Sequence, residues 1–157
     1  MSRSINIAEE CHVINLVPPI DINGAGASSE VFHLGNYAHA SIIVQLGVTG
    51  AATTLTVEEC DDITPTTDTP IVFNYYAEAT AAGDTLGAKT AATTSGIALG
   101  TGDSIMYVVE IDASQLTADY PYLQIELSDP SAATLASAVA ILSGSRYAVE
   151  SSATAIT

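Results

Sequence analysis

An all-β fold is expected: two antiparallel sheets packed as a sandwich of jelly-roll type, with an extended N-terminal arm. Three observations predict it. The runs 104–112 and 122–127 alternate apolar and polar side chains at the period of a strand with one face buried. About eight such short runs recur along the chain with turn residues between them, and no long amphipathic helix competes with them. Tryptophan is absent, and with it the Cys-Trp-Cys framework of a true immunoglobulin domain, which favours the jelly roll among eight-stranded sandwiches.

Residues 1–29 read as an arm and hinge. Ile5, Ile7, Val13, Ile14, Leu16 and Val17 make it apolar, Pro18 and Pro19 hold it extended, and the Gly/Ala/Ser tract 23–29 supplies a loop. Such an arm needs cover, either from its own sheet or from a neighbouring subunit. The sandwich domain is placed at 30–148. Its first strand is expected at 30–34 and its second at 39–46, with Ile42, Val44 and Leu46 on one face and Ser41, Ile43 and Gln45 on the other. A third follows at 53–60, where Thr53, Leu55 and Val57 oppose Thr54, Thr56 and Glu58, and Asp61 to Pro65 ends it.

A strand at 71–77 comes after a loop, and one weak strand is expected within 86–94 of the glycine-rich stretch 78–103. The runs 104–112 and 122–127 are taken as the central pair of strands. Tyr107, Val109 and Ile111 share one apolar face, and Leu123, Ile125 and Leu127 share the other. Segment 129–144 fits a helix started by Asp129 and Pro130 and stopped by Gly144. It also fits a strand over 133–143 with Leu135, Val139 and Ile141 on its apolar face, and the regular spacing of strands upstream favours the strand. Residues 149–157 read as a small polar tail.

A chain of 157 residues with 48% hydrophobic content is one domain with a substantial core. Eighteen acidic residues face Arg3, Lys89 and Arg146, for a formal charge of −15. Such a polyanion repels nucleic acid and anionic membrane surfaces, and it has no basic stripe to neutralise phosphates. No apolar stretch has the length of a signal peptide core or a membrane span, which predicts a chain that is cytosolic at synthesis. Cys11 and Cys60 are then expected as free thiols. Glu59, Asp61 and Asp62 disfavour a thiolate at Cys60.

The chemical motifs are weak. Gly83 to Thr90 has the spacing of a phosphate-binding loop, but Ala88 replaces the glycine before Lys89. Cys11, His12, His33, His39 and Cys60 are metal-ligand types at spacings that match no zinc pattern. Glu58 to Asp62 offers hard oxygen ligands for calcium but lacks the ligand alternation and glycine of an EF-hand, so a solvated acidic turn is the better reading. No serine sits in a nucleophile elbow, and carboxylates are too common here to mark an acid/base pair. Tyr75, Tyr76, Tyr107, Tyr120 and Tyr122 suit either a saccharide groove or sheet packing. No catalytic residue, cofactor site or metal site is assigned.

Residues 36–58, the run 107–113 and the ending 138–148 resemble small structural proteins of tailed-bacteriophage heads, the jelly-roll decoration or cement proteins. The similarity spans about residues 30–148 as a pattern of strands and short phrases. It implies a structural virion protein that binds the outer surface of an assembled capsid, has the major capsid protein as partner, and forms a homo-oligomer, a trimer before other orders. Interface residues are expected in the arm, at Ile14, Leu16, Val17, Pro18 and Pro19, and at Arg146, a scarce cation able to pair with a carboxylate across an interface or within the chain. The alternatives are a carbohydrate- or receptor-binding module of a fibre or adhesin, and a head–tail connector component.

Overall fold

The computed structural model describes residues 5–146. Tyr147 and Ala148, the expected end of the sandwich, and the expected tail 149–157 lie outside the described residues. A four-residue helix α1 (Ile7–Glu10) precedes strands β1 (His12–Asp21), β2 (Ala27–Ser28), β3 (Phe32–His33), β4 (Tyr37–Thr49), β5 (Thr53–Cys60) and β6 (Asp68–Pro70). There follow β7 (Asn74–Ala77), β8 (Thr90–Ala91), β9 (Ile97–Leu99), β10 (Met106–Asp112), a 3-10 turn (Ala113–Gln115), β11 (Tyr122–Leu127) and β12 (Thr134–Ser145). Sheet A has the order β1-β12-β4-β10-β7-β8. Sheet B has the order β2-β11-β5-β6, with β3 also on β11 and β9 also on β5. Every pairing is antiparallel, so the chain is an all-β sandwich of two antiparallel sheets.

The core is the apolar set of each alternating strand. Ile42, Val44, Leu46, Val109 and Ile111 face inward from sheet A, and Leu55, Val57, Leu123, Ile125 and Leu127 from sheet B. Burying side chains of this size stabilises the fold by roughly 1.5–3 kcal/mol each. Phe32 from β3, with Leu34 and Phe73 from the connections, is buried in the same core.

The expected arm belongs to the sandwich. Residues 12–21 are the edge strand of sheet A, registered on β12 from His12↔Leu142 to Asp21↔Leu135. Ile14, Leu16 and Val17 are 5%, 3% and 2% exposed. Two consecutive residues, Leu16 and Val17, point inward because the register slips between Asn15 and Val17, as in a β-bulge. A second slip, between Val17 and Ile20, accommodates Pro18 and Pro19. Prolines are tolerated there because an edge strand has one side with no ladder to donate to. The expected hinge is a fixed turn: Asp129 Oδ1 accepts the Gly24 N–H at 2.9 Å and the Ser131 N–H at 2.8 Å. Gly26 is obligatory in it, since φ is +71° and a Cβ would run into the Leu127 carbonyl oxygen.

The runs 104–112 and 122–127 form strands but do not pair with each other. β10 has both edges occupied, by β4 and β7, while β11 lies in the other sheet beside β5. The connection 113–121 crosses between sheets through the 3-10 turn, and Glu59, reaching inward from β5, accepts the Thr117 N–H at 2.7 Å. The expected strand 71–77 is shortened to β7, paired with β10 in sheet A, while the expected loop before it contains β6, paired with β5 in sheet B; buried Phe73 lies in the passage between them. The expected strands at 30–34 and 86–94 shrink to the two-residue β3 and β8, and β9 is additional.

Segment 134–145 is a strand, but its faces are the reverse of those expected. Thr134, Ala136, Ala138, Ala140 and Leu142 are buried, whereas Leu135, Val139 and Ile141 lie on the outside of sheet A. The inward alanines leave room that larger core side chains fill, an alternation of large and small that close packing favours.

Candidate functional surface

The two sheets present unlike outer faces. On sheet B, Glu58 sits opposite Gln124, one step from Glu126, and beside the short strand β6 with Asp68. Burial pushes the Glu58 carboxyl up from its ordinary value, and the negative charges of Glu126 and Asp68 push it further. Cys60 follows on the same face. Burial, then Asp68, Glu58, Asp61 and Glu59, raise its thiol to about 12. At the rim of this face His33 meets Tyr122 edge-on, ring centroids 4.9 Å apart.

Sheet A is different. Its register aligns Asn15, Val139, Ile43, Val108 and Tyr76 in one row across five strands. Paired residues of an antiparallel sheet point to the same side, so this row is a continuous outward ridge without a charge. The neighbouring row, Val13, Ile141, Ser41, Glu110 and Asn74, has one carboxylate. Val13 is 49% exposed, and Ile43, Val108, Val139, Ile141 and Tyr76 are half-buried.

Glu110 shares His39 with Asp112. His39 Nε2 lies 2.6 Å from its Oε2, the Ser41 hydroxyl donates to the same oxygen at 2.6 Å, and His39 Nδ1 lies 2.8 Å from Asp112 Oδ1. With both ring nitrogens on carboxylates, the cationic form of the imidazole is favoured. Desolvation is the largest single influence and pulls its pKa down, but the two hydrogen bonds and the charges of Glu110 and Asp112 together outweigh it, and the net shift is upward.

At the opposite end of the same face lies a groove of about 600 Å³, lined by Pro19, Gln45, Gly47, Met106, Leu135 and Ser137 among others. Leu135 lies over Gly47, where a Cβ would come within 3.0 Å of the Leu135 Cβ. Glu78 borders the groove, its carboxylate accepting the Met106 N–H at 2.9 Å.

The expected interface residues are dispersed. Ile14, Leu16 and Val17 are core residues and not available to a partner; Pro18 is exposed, and Pro19 lines the groove. Arg146 is exposed at the other end, beside a smaller cavity lined by Leu34, Ala113, Leu116 and Pro121. Its backbone N–H reaches the Asn36 carbonyl at 2.9 Å, and its guanidinium makes no ion pair among the described residues.

The candidate chemical motifs also come apart. Glu58 faces out and Glu59 in, while Asp61 accepts from the Thr66 hydroxyl and from the Thr66 and Thr67 N–H groups, which lowers its pKa and ties the turn. Among the described residues, no group of three or more His, Cys, Asp or Glu is arranged to hold a metal ion. Residues 83–90 lead into the strand β8 rather than the helix a phosphate loop requires. The tyrosines occupy separate places: Tyr107 is buried, its hydroxyl accepting from Gly100 N–H at 3.0 Å, Tyr76 is on the outside of sheet A, and Tyr122 is on the outside of sheet B.

The outer row of sheet A was missed at the sequence level, although a signal exists. Ile42-Ile43-Val44, Tyr107-Val108-Val109 and Val139-Ala140-Ile141-Leu142 are apolar on both faces of their strands, the pattern of strands covered on both sides. Comparison of the chain with protein-family models, curated proteins and solved structures returned no match.

Proposed function

We propose that this chain is a structural protein of a tailed-phage virion, a jelly-roll decoration or cement protein. It binds the outer surface of the capsid, has the major capsid protein as its partner, and acts as a homo-oligomer through subunit contacts rather than chemistry. The observation that carries this reading is the two-faced sandwich. One broad face carries an uncharged, largely apolar row across five strands, with Glu110 and Asp112 drawn onto His39 at one end, and on the opposite face Glu58, Glu126 and Asp68 stand close together. A shell component needs this asymmetry, because one side must adhere while the other stays hydrated and repels neighbouring particles.

The phrases that resemble decoration proteins support the same reading. Residues 36–58, 107–113 and 138–148 take in β4 and most of β5, β10 and β12, so most of the resemblance lies in strands that build the apolar row. Symmetric repetition on a shell raises effective concentration, so modest contacts give high occupancy.

Copy number per purified particle, measured by quantitative mass spectrometry, tests the proposal. Hundreds of copies fit a shell component, whereas about six or twelve fit a connector ring and would overturn it.

A further inference from the structure

We infer that the outer face of sheet A is where two copies of this chain meet, packed sheet against sheet through Val139, Ile43, Val108 and Tyr76. This deepens the proposed function, resting on its reading of that face as adhesive, and names the occupant.

The argument starts from charge. Each copy carries −15, so a second copy can approach closely only where few uncompensated carboxylates stand. The outer face of sheet B fails this condition, since Glu126 and Asp68 stand close enough to Glu58 to add to the burial that disfavours its ionisation. The central row of sheet A has no charge, and the carboxylates of that face stand toward its ends: Glu110 and Asp112 share His39, and Glu78 is tied to the Met106 N–H at the groove.

Area is the second condition. Six strands about 4.8 Å apart, with a mean length of about 26 Å, give roughly 600–700 Å² of face. That is close to the roughly 800 Å² per partner of a standard stable interface. Shape is the third. Aligned sheets pack about 10 Å apart when side chains of moderate size interdigitate, and a row of valine, isoleucine and tyrosine supplies such side chains to both sides of a two-fold contact.

A contact of this kind has an opposite salt response from an ionic one. Salt screens the repulsion between two polyanions and leaves the apolar contact intact, so association strengthens as salt rises. The test is sedimentation velocity of the full chain across micromolar concentrations at low and high salt, with Ile43→Lys, Val108→Lys and a control, Gln124→Lys, on sheet B.

The expected result is a dimer or a higher oligomer built on it, tightened by salt and weakened about tenfold or more by either sheet A variant, with the control unchanged. Ile43→Thr and Val108→Thr keep β-branching and strand propensity, so a graded loss in these variants, with wild-type circular dichroism, separates a lost contact from a lost fold. A chain that stays at 16.1 kDa throughout overturns the inference. So does an oligomer indifferent to both positions. Copy number on particles is measured separately: a monomer present in hundreds of copies would refute the pairing and leave the capsid role standing, and a sheet A dimer absent from the shell would do the reverse.

Discussion

Replacing Leu16 by alanine tests whether β1 is part of the core or an appendage. Leu16 is 3% exposed between buried Ile14 and Val17 on a strand hydrogen-bonded to β12. The substitution removes three carbons, worth about 0.8 kcal/mol each in transfer free energy, or about 2.4 kcal/mol together. A residual cavity adds to this, but an edge strand can settle inward and recover part of it. The expected loss is therefore about 2.5–3.5 kcal/mol, in the lower half of the range for buried leucines. For a domain of this size each kcal/mol shifts Tm by about 2–4 °C, so melting should fall by roughly 6–12 °C. Urea and thermal unfolding followed by circular dichroism give both numbers, with Asn15→Ala on the outer face of the same strand as a control expected within about 0.5 kcal/mol of wild type. Deleting residues 1–21 removes all three buried side chains and uncovers the β12 edge, and cooperative folding should be lost, because the whole stability of a domain is about 5–15 kcal/mol. A Leu16→Ala variant as stable as wild type, or a deletion that melts normally, would refute the assignment of β1 to the core.

Three further outcomes follow from the titratable groups. Glu58 has a folded pKa raised above its unfolded value near 4.5, so its ionisation opposes folding above the folded pKa and not below the unfolded one. Glu58→Gln should thus stabilise at pH 7 by a few tenths to about 1 kcal/mol, with the gain gone below about pH 4.5; a gain independent of pH would contradict the charge argument. His39 is the converse case: its raised folded pKa contributes stability that is full below about pH 6.5 and is lost as pH rises through the folded value, so the urea midpoints of wild type and His39→Gln should converge on going from pH 6 to alkaline pH. With a thiol pKa of about 12, Cys60 is roughly one part in ten thousand thiolate at pH 8, so a colorimetric thiol titration should count partly exposed Cys11 in the native chain and both cysteines in urea, and two fast native thiols would refute the placement of Cys60.

Local pattern and tertiary context contributed different things to this fold. Thr53–Cys60 and Tyr122–Leu127 form strands with the expected bounds, because strict alternation between turn residues is a local signal. Segment 134–145 is a strand as expected, yet alternation alone put the wrong face inward. When one side of a strand reads Leu-Val-Ile and the other Ala-Ala-Ala-Leu, both are apolar, and only the volume left by the opposing sheet decides which is buried. Likewise Pro18 and Pro19 suggested an arm, and only the position at a sheet edge, with slips in register, allows a strand to contain them.

The candidate surface shows the same division. Composition and alternation by themselves determined that this is an acidic, β-rich chain. Which strands lie side by side was decided by tertiary structure, since β12, β4 and β10 come from distant parts of the chain and their outward residues meet only once the antiparallel registers are set. Val139, Ile43, Val108 and Tyr76 are ordinary apolar residues one at a time. They become a surface because hydrogen-bonded pairing holds them at a spacing of about 5 Å on the same side of a sheet, a relation that no short-range periodicity in the sequence contains.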